Sequence, residues 1–214
     1  MTVCADPVEV RFIEAADPLR LREWDRLLSP KERDRAARFR SAGDRAVYTA
    51  VHGALRELLG GLIGADPASL RFRTERGGRP VLEGDGPQFS ISRAKGAALV
   101  AVSAGGPVGA DIELIAPRRF DDAVAKRFFA PAERRMLEGL PREDRTRAFF
   151  RIWTRKEALL KAQGKGIDAG LSRLDTTTDL PRWTLLSLDL PAPYAGAVAA
   201  AGDGRAIMAP RPYL

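Results

Sequence analysis

One cysteine and one histidine are all that this chain of 214 residues offers to thiol or imidazole chemistry. Cys4 cannot form an internal disulfide, and no Cys/His set with metal-ligand spacing can be assembled. The lone His52, outside every motif described below, leaves no Ser-His-Asp arrangement. A P-loop is also missing. No apolar run approaches the roughly 20 residues that cross a bilayer. The opening MTVCADPVEVRF carries acids where a secretion signal is apolar. These absences point to a cytoplasmic protein without membrane association. Aromatics make up only 7% of the residues, and they do not interleave with cations as on a base-stacking surface, which argues against nucleic acid as a partner.

What the chain does have is positive charge: a formal net +7 and a pI near 10.1. Such a balance suits phosphate-rich ligands or acidic proteins without choosing between them. With 45% hydrophobic residues, the length supports one large domain or two small halves around a shared core.

The period of the apolar residues alternates between strand and helix. VEVRFIEA reads as a strand with Val8, Val10 and Phe12 on one face. PLRLREWDRLLS reads as a short helix, and SPKERDRAARF as another with Ser29 as N-cap, Pro30 at its first position and Glu32 three residues after the cap. A third covers DRAVYTAVHGALRELLGG and is expected to close at Gly60 and Gly61. LRFRTERGGRPVLEG reads as two strands about a Gly-Gly turn, and FSISRAKGAALVAVSAGGPVGADIELI as a strand pair followed by a third. Residues 120–163 are helical again, and RWTLLSLDLPAPYAGAVAAAG reads as a final hairpin. Each half thus has helices followed by strands, and ARFRSAGDR (37–45) echoes KRFFAPAER (126–134). The expectation is an α+β (α/β) fold of two similar halves, 1–106 and 107–214, with a ligand cleft between them.

Two segments could carry chemistry. In VGADIEL, Asp111 and Glu113 are two apart and share a face of a strand. Two neighbouring carboxylates invite a divalent cation, although an exposed strand end with two acids is the plainer reading of this motif alone. In FFRIWTRKEALLKAQGKGI, Glu157 is the only acid among Arg151, Arg155, Lys156, Lys161 and Lys165. Trp153, Glu157 and Lys161 follow at i, i+4 and i+8 on one side of a helix. Gly164 has the place of a left-handed helix terminator. An ordinary Glu157–Lys161 surface pair explains this stretch alone about as well as a site does.

Taken together, GADIE followed about forty residues later by WTRKEALLKAQGKGI resembles the paired signature of the 4′-phosphopantetheinyl transferases, in their surfactin-synthetase-activating (Sfp-type) branch. KRFFAPAERRML, LSPKERDRAARF, GGRP and FSIS resemble further landmarks of that family, in order, so that the resemblance spans about residues 25–200. It implies two pseudo-twofold-related halves in a monomer, with the active site between them. The implied activity is transfer of the phosphopantetheine arm of coenzyme A to a serine of an acyl or peptidyl carrier protein, releasing adenosine 3′,5′-bisphosphate. It further implies Asp111, Glu113 and Glu157 as ligands of Mg²⁺, with Mn²⁺ as the alternative. Catalytic roles fall to Glu157, which takes the serine proton directly or through water, to Lys161 at the phosphates, and to Glu133 in the phenylalanine-pair segment. Coenzyme A would meet Arg35, Arg38, Arg79, Ser92, Arg93, Lys156, Lys161 and Lys165. A carboxylate between metal and lysine is expected to have a lowered pKa. The chain departs from the family at Arg93, where a histidine is usual, and at Ser90, where an asparagine is usual. The Arg93 departure motivates a second reading: a relative that only binds coenzyme A or a carrier protein.

Overall fold

A computed structural model describes residues 7–75, 78–116, 122–165 and 170–212. The first half contains β1 (Glu9–Glu14), α1 (Pro18–Leu27), α2 (Pro30–Ala37), α3 (Ala42–Ile63), β2 (Phe72–Thr74), β3 (Pro80–Leu82), β4 (Gln88–Ala94) and β5 (Ala97–Ser103). The second contains β6 (Val108–Leu114), α4 (Asp122–Phe128), α5 (Pro131–Glu138), α6 (Arg142–Gln163), β7 (Trp183–Leu188), β8 (Tyr194–Ala201) and the two-residue β9 (Arg211–Pro212). This is the mixed α/β fold expected. Among the described residues, no helix is long and apolar enough to cross a membrane.

One sheet has the order β4-β5-β1-β9 and another β6-β8-β7. The order β4-β5-β1 therefore has its counterpart in β7-β8-β6. Alternation puts Val8, Val10 and Phe12 of the β1 segment in one cluster with Leu99, Val108, Ala110, Ile112 and Val198, so strands of both halves share a core. Ile13, on the opposite face of β1, joins α1 and α3 through Trp24, Val51 and Leu55. On the second sheet, Ala197 and Ala199 pack against Ala158, Leu159 and Ala162 of α6. Two pairings lie beyond what the strand pattern specifies. β6 pairs with β8 rather than β5. The C-terminal segment returns to the first half, where Arg11 lies opposite Arg211 in a parallel pairing, Ala206 O accepts from Val8 N and Val8 O accepts from Met208 N.

The helices also correspond. α3 and α6 each have 22 residues and each is followed by a left-handed glycine, Gly64 or Gly164. Gly60 and Gly61 stay inside α3. Gly60 is needed there because a Cβ would lie 2.8 Å from Ala65 O and from Pro67. α2 and α5 each begin with proline and carry a glutamate three residues past the cap, Glu32 or Glu133. Arg56 of α3 meets Glu32 at 2.8 Å and donates to Pro67 O and Leu70 O. Lys156 of α6 meets Glu133 at 2.7 Å and donates to Leu171 O and Leu174 O. The echo of 37–45 in 126–134 matches a helix end and the next helix start, but it is out of register with this correspondence of elements.

Burial alone would raise the Glu32 pKa, but hydrogen bonds from His52, Ser29 and Arg56 more than offset it and hold the carboxyl at about 2, below its ordinary 4.5. A depressed acid stabilises the fold above its unfolded pKa and loses that contribution as pH falls through the folded one. Glu32→Gln is expected to lower unfolding free energy at pH 7 by about 2 kcal/mol, once solvent screening of a half-buried group is allowed for. Urea titrations should show the deficit narrowing between pH 5 and pH 2; a deficit independent of pH rules this account out.

Candidate active site between the two halves

α6 crosses β6 at Gly109, where a Cβ would stand 2.0 Å from Ala158 O and 2.4 Å from Ala162 N. Any side chain at 109 would push the helix off the sheet. Asp111 and Glu113 follow at strand spacing on the same face, while Ile112 is buried on the other. The close crossing brings Glu157 and Lys161 of α6 over these acids. Lys161 Nζ donates to Asp111 Oδ1 at 2.7 Å, to Ser92 Oγ at 3.0 Å and to Ala110 O at 3.1 Å. The ammonium thus bonds across to Asp111 rather than along its helix to Glu157.

Two oxygens in this cluster are buried without a partner: Asp111 Oδ2 and Glu157 Oε1. Burial raises the Glu157 pKa most, then Asp111; with Glu113 adding and Lys161 opposing, the carboxyl reaches about 7. Desolvation and two like charges outweigh the one cation, Lys161; the lowered pKa expected beside both a metal and a lysine concerns the loaded site. Asp111 is also raised, by burial first, against Lys161 and Ser92. Among the described residues, no three His, Cys, Asp or Glu side chains stand as a ready-made chelate. The donors do fit a hard cation: every one is a carboxylate oxygen, and two are orphaned in a buried setting that a positive charge would relieve.

One cavity borders this cluster at Lys161, and a second meets the first at Pro80. The first, of about 320 Å³, is lined by Arg79, Pro80, Phe89, Ser90, Lys161 and Lys165. The other, of about 560 Å³, shares Pro80 and includes Arg35, Arg38 and Tyr48. Arg93 spreads its guanidinium over Tyr48 and Phe39, at 5.3 and 5.7 Å from the ring centroids. Burial lowers its pKa, and Arg35 adds to that lowering. Arg79, Lys161 and Lys165 thus line the smaller cavity and Arg35 and Arg38 the larger, while Arg93 packs over the Tyr48 that lines the larger one.

Three expected residues are placed otherwise. Lys156 and Glu133 have no exposed surface and are bonded to each other. Glu133 also accepts from Ala130 N, Thr176 N and Thr176 Oγ. Lys156 therefore does not contribute to the basic cleft, and Glu133 is a helix-capping group sealed from any substrate. Ser92 spends its hydroxyl on Asp111 and Lys161 instead of facing a cavity. The sequence named Ser90 only as a departure and did not show that its Oγ accepts from Ala110 N and ties β4 to β6, nor did it show the Tyr48–Phe39 bed beneath Arg93. The serine at the family's asparagine position was the available signal for the first.

Residues 107–198 match the 4′-phosphopantetheinyl transferase superfamily. The chain is 37% identical over 219 residues to the 4′-phosphopantetheinyl transferase HetI of Nostoc sp., covering 95% of this chain and 92% of that protein. It is 35% identical to the protein slr0495 of Synechocystis sp., over 76% of this chain and 68% of the relative. To the 4′-phosphopantetheinyl transferase Sfp of Bacillus subtilis it is 29% identical, with 72% and 69% covered. With a relative of 37% identity covering 95% of its length, the chain belongs to the 4′-phosphopantetheinyl transferase superfamily.

Proposed function

We propose that this transferase is of the Sfp type: a monomer whose halves, 1–106 and 107–214, are related by a pseudo-twofold axis and enclose the site. The repeated strand order and the paired 22-residue helices support that reading. So does the contribution of both halves to the Asp111 cluster within one chain. Its substrates are coenzyme A and the serine of an apo acyl or peptidyl carrier protein. The serine oxygen forms a bond to the phosphorus bearing the pantetheine arm, and the bond from that phosphorus to adenosine 3′,5′-bisphosphate breaks.

The observation that carries this reading is the pair of orphaned oxygens, Asp111 Oδ2 and Glu157 Oε1, beside a lysine and a basic cavity. Asp111, Glu113 and Glu157 would hold Mg²⁺ or Mn²⁺, which when bound neutralises and aligns the diphosphate. Lys161 reaches the same phosphates, and Lys165 and Arg79 line their approach. Arg35, Arg38 and Arg93 offer planar donors to the remaining phosphate of the nucleotide. Glu157 accepts the serine proton directly or through water. A module that merely binds coenzyme A has no use for buried, unpartnered carboxylates. Incubated with Mg²⁺, coenzyme A and a panel of apo carriers, the protein should add the mass of one phosphopantetheine arm in intact-mass spectra. No shift on any carrier overturns the proposal.

A further inference from the structure

Asp111 is held from the other half of the molecule. Ser92 lies on β4, where its pairing opposite Leu99 of β5 fixes its place in the first sheet. Its hydroxyl donates to Asp111 Oδ1 at 2.9 Å while accepting from Lys161 Nζ at 3.0 Å. Two donors thus converge on Oδ1, and Oδ2 is left buried and unpartnered. A carboxylate turns easily about its last torsion, whose preference is broad. Lys161 alone, on a flexible stem, would not stop that rotation, whereas a serine anchored in a sheet fixes which oxygen faces away. We propose that Ser92 is a positioning residue for the ion site: it clamps Asp111 across the interface so that Oδ2 faces the cation, and the first half thereby sets the metal affinity of the second.

The inference rests on the metal reading given above. It departs from the expectation that Ser92 contacts coenzyme A, and the two roles separate in the coenzyme-free protein. Mn²⁺ is the probe, titrated into wild type, S92A, S92T and D111N while the free aquo ion is followed by electron paramagnetic resonance. S92A should bind Mn²⁺ about tenfold to a hundredfold more weakly, S92T should recover most of that loss, and the KM for coenzyme A at saturating Mn²⁺ should stay within about twofold of wild type, as for an outer-shell group. D111N should not bind Mn²⁺. Near-wild-type Mn²⁺ affinity in S92A with a raised KM for coenzyme A overturns the positioning role but leaves the metal reading standing. Unchanged affinity in D111N, or no binding by wild type, overturns the metal reading and this inference with it. S92T carries the test if S92A does not fold.

Discussion

Glu157→Gln should slow carrier modification by about 10²- to 10⁴-fold, the span expected when a group that moves a proton is lost, and yet melt higher than wild type in the absence of divalent ions. The second half of this prediction follows from the first. Burial, Asp111 and Glu113 lift the carboxyl from 4.5 to about 7, so ionising it costs more in the folded chain than in the unfolded one. Below pH 4.5 both states are protonated and nothing is lost. Between pH 4.5 and 7 stability declines as pH rises, and above 7 the whole penalty is present. The gap is worth about 3 kcal/mol at most, or about 2 kcal/mol once solvent screening of a half-buried group is allowed for. For a chain of this size that is a rise of about 4–8 °C in Tm. Scanning calorimetry with a chelator at pH 8 and at pH 4.5 checks the sign: Glu157→Gln should gain at the first and match wild type at the second. Adding Mg²⁺ should lift the wild-type Tm and leave the variant nearly unmoved. A variant that melts below wild type at pH 8, or that still modifies carriers at the wild-type rate, removes Glu157 from the role given to it.

This coupling of lost activity to gained stability explains why Glu157 stands apart from its counterpart. At an offset of one hundred residues, Arg56-Glu57-Leu58-Leu59 faces Lys156-Glu157-Ala158-Leu159, with equal places in two 22-residue helices. Glu57 accepts from Arg20 and from Trp24 Nε1 at 3.0–3.1 Å. Its carboxylate is satisfied and fastens α1 to α3. Glu157 keeps one oxygen buried without a partner. The same position is fully satisfied in one half and keeps a buried, unpartnered oxygen in the other.

Local chemistry was legible in the sequence wherever one segment decides its own structure. Ser29, Pro30 and Glu32 form the capping box that their spacing predicts, with Glu32 Oε2 accepting from Ser29 N at 2.7 Å. The β1 face, the strand spacing of Asp111 and Glu113, the Trp153–Glu157–Lys161 stripe and the left-handed Gly164 follow from period and cap alone. What stayed hidden depends on partners far away in sequence. Lys156 and Lys161 look alike as lysines of one helix. They differ because Lys156 points at Glu133 and the carbonyls after residue 170, while Lys161 points at β6. The direction of the Glu157 pKa shift needed the depth of burial, which no count of neighbouring charges supplies. The echo near residue 37 joins a helix end and a helix start that are not counterparts in the element order, so it carries no register of its own.

Glu133→Ala and Lys156→Met should each cost about 3–5 kcal/mol of stability, because either one strands a charge where no water reaches it. Burial pulls the Lys156 pKa down, and Glu133 opposes that shift. Removing the carboxylate therefore drives the lysine toward its neutral form or opens the packing around it. Glu133→Ala should be the worse of the two, since Ala130 N, Thr176 N and Thr176 Oγ also lose their acceptor. Combining the changes should cost less than their sum, as the stranded charge disappears from the account while the orphaned donors remain. Urea melts of the two single variants and the double variant give the coupling directly. Glu133→Gln, which keeps an acceptor, decides between a structural and a chemical role: neither residue reaches the cleft, so its folded fraction should modify carriers within about threefold of the wild-type rate. A fully folded Glu133→Gln variant slowed a hundredfold would instead put that carboxylate in the chemistry, against its complete burial.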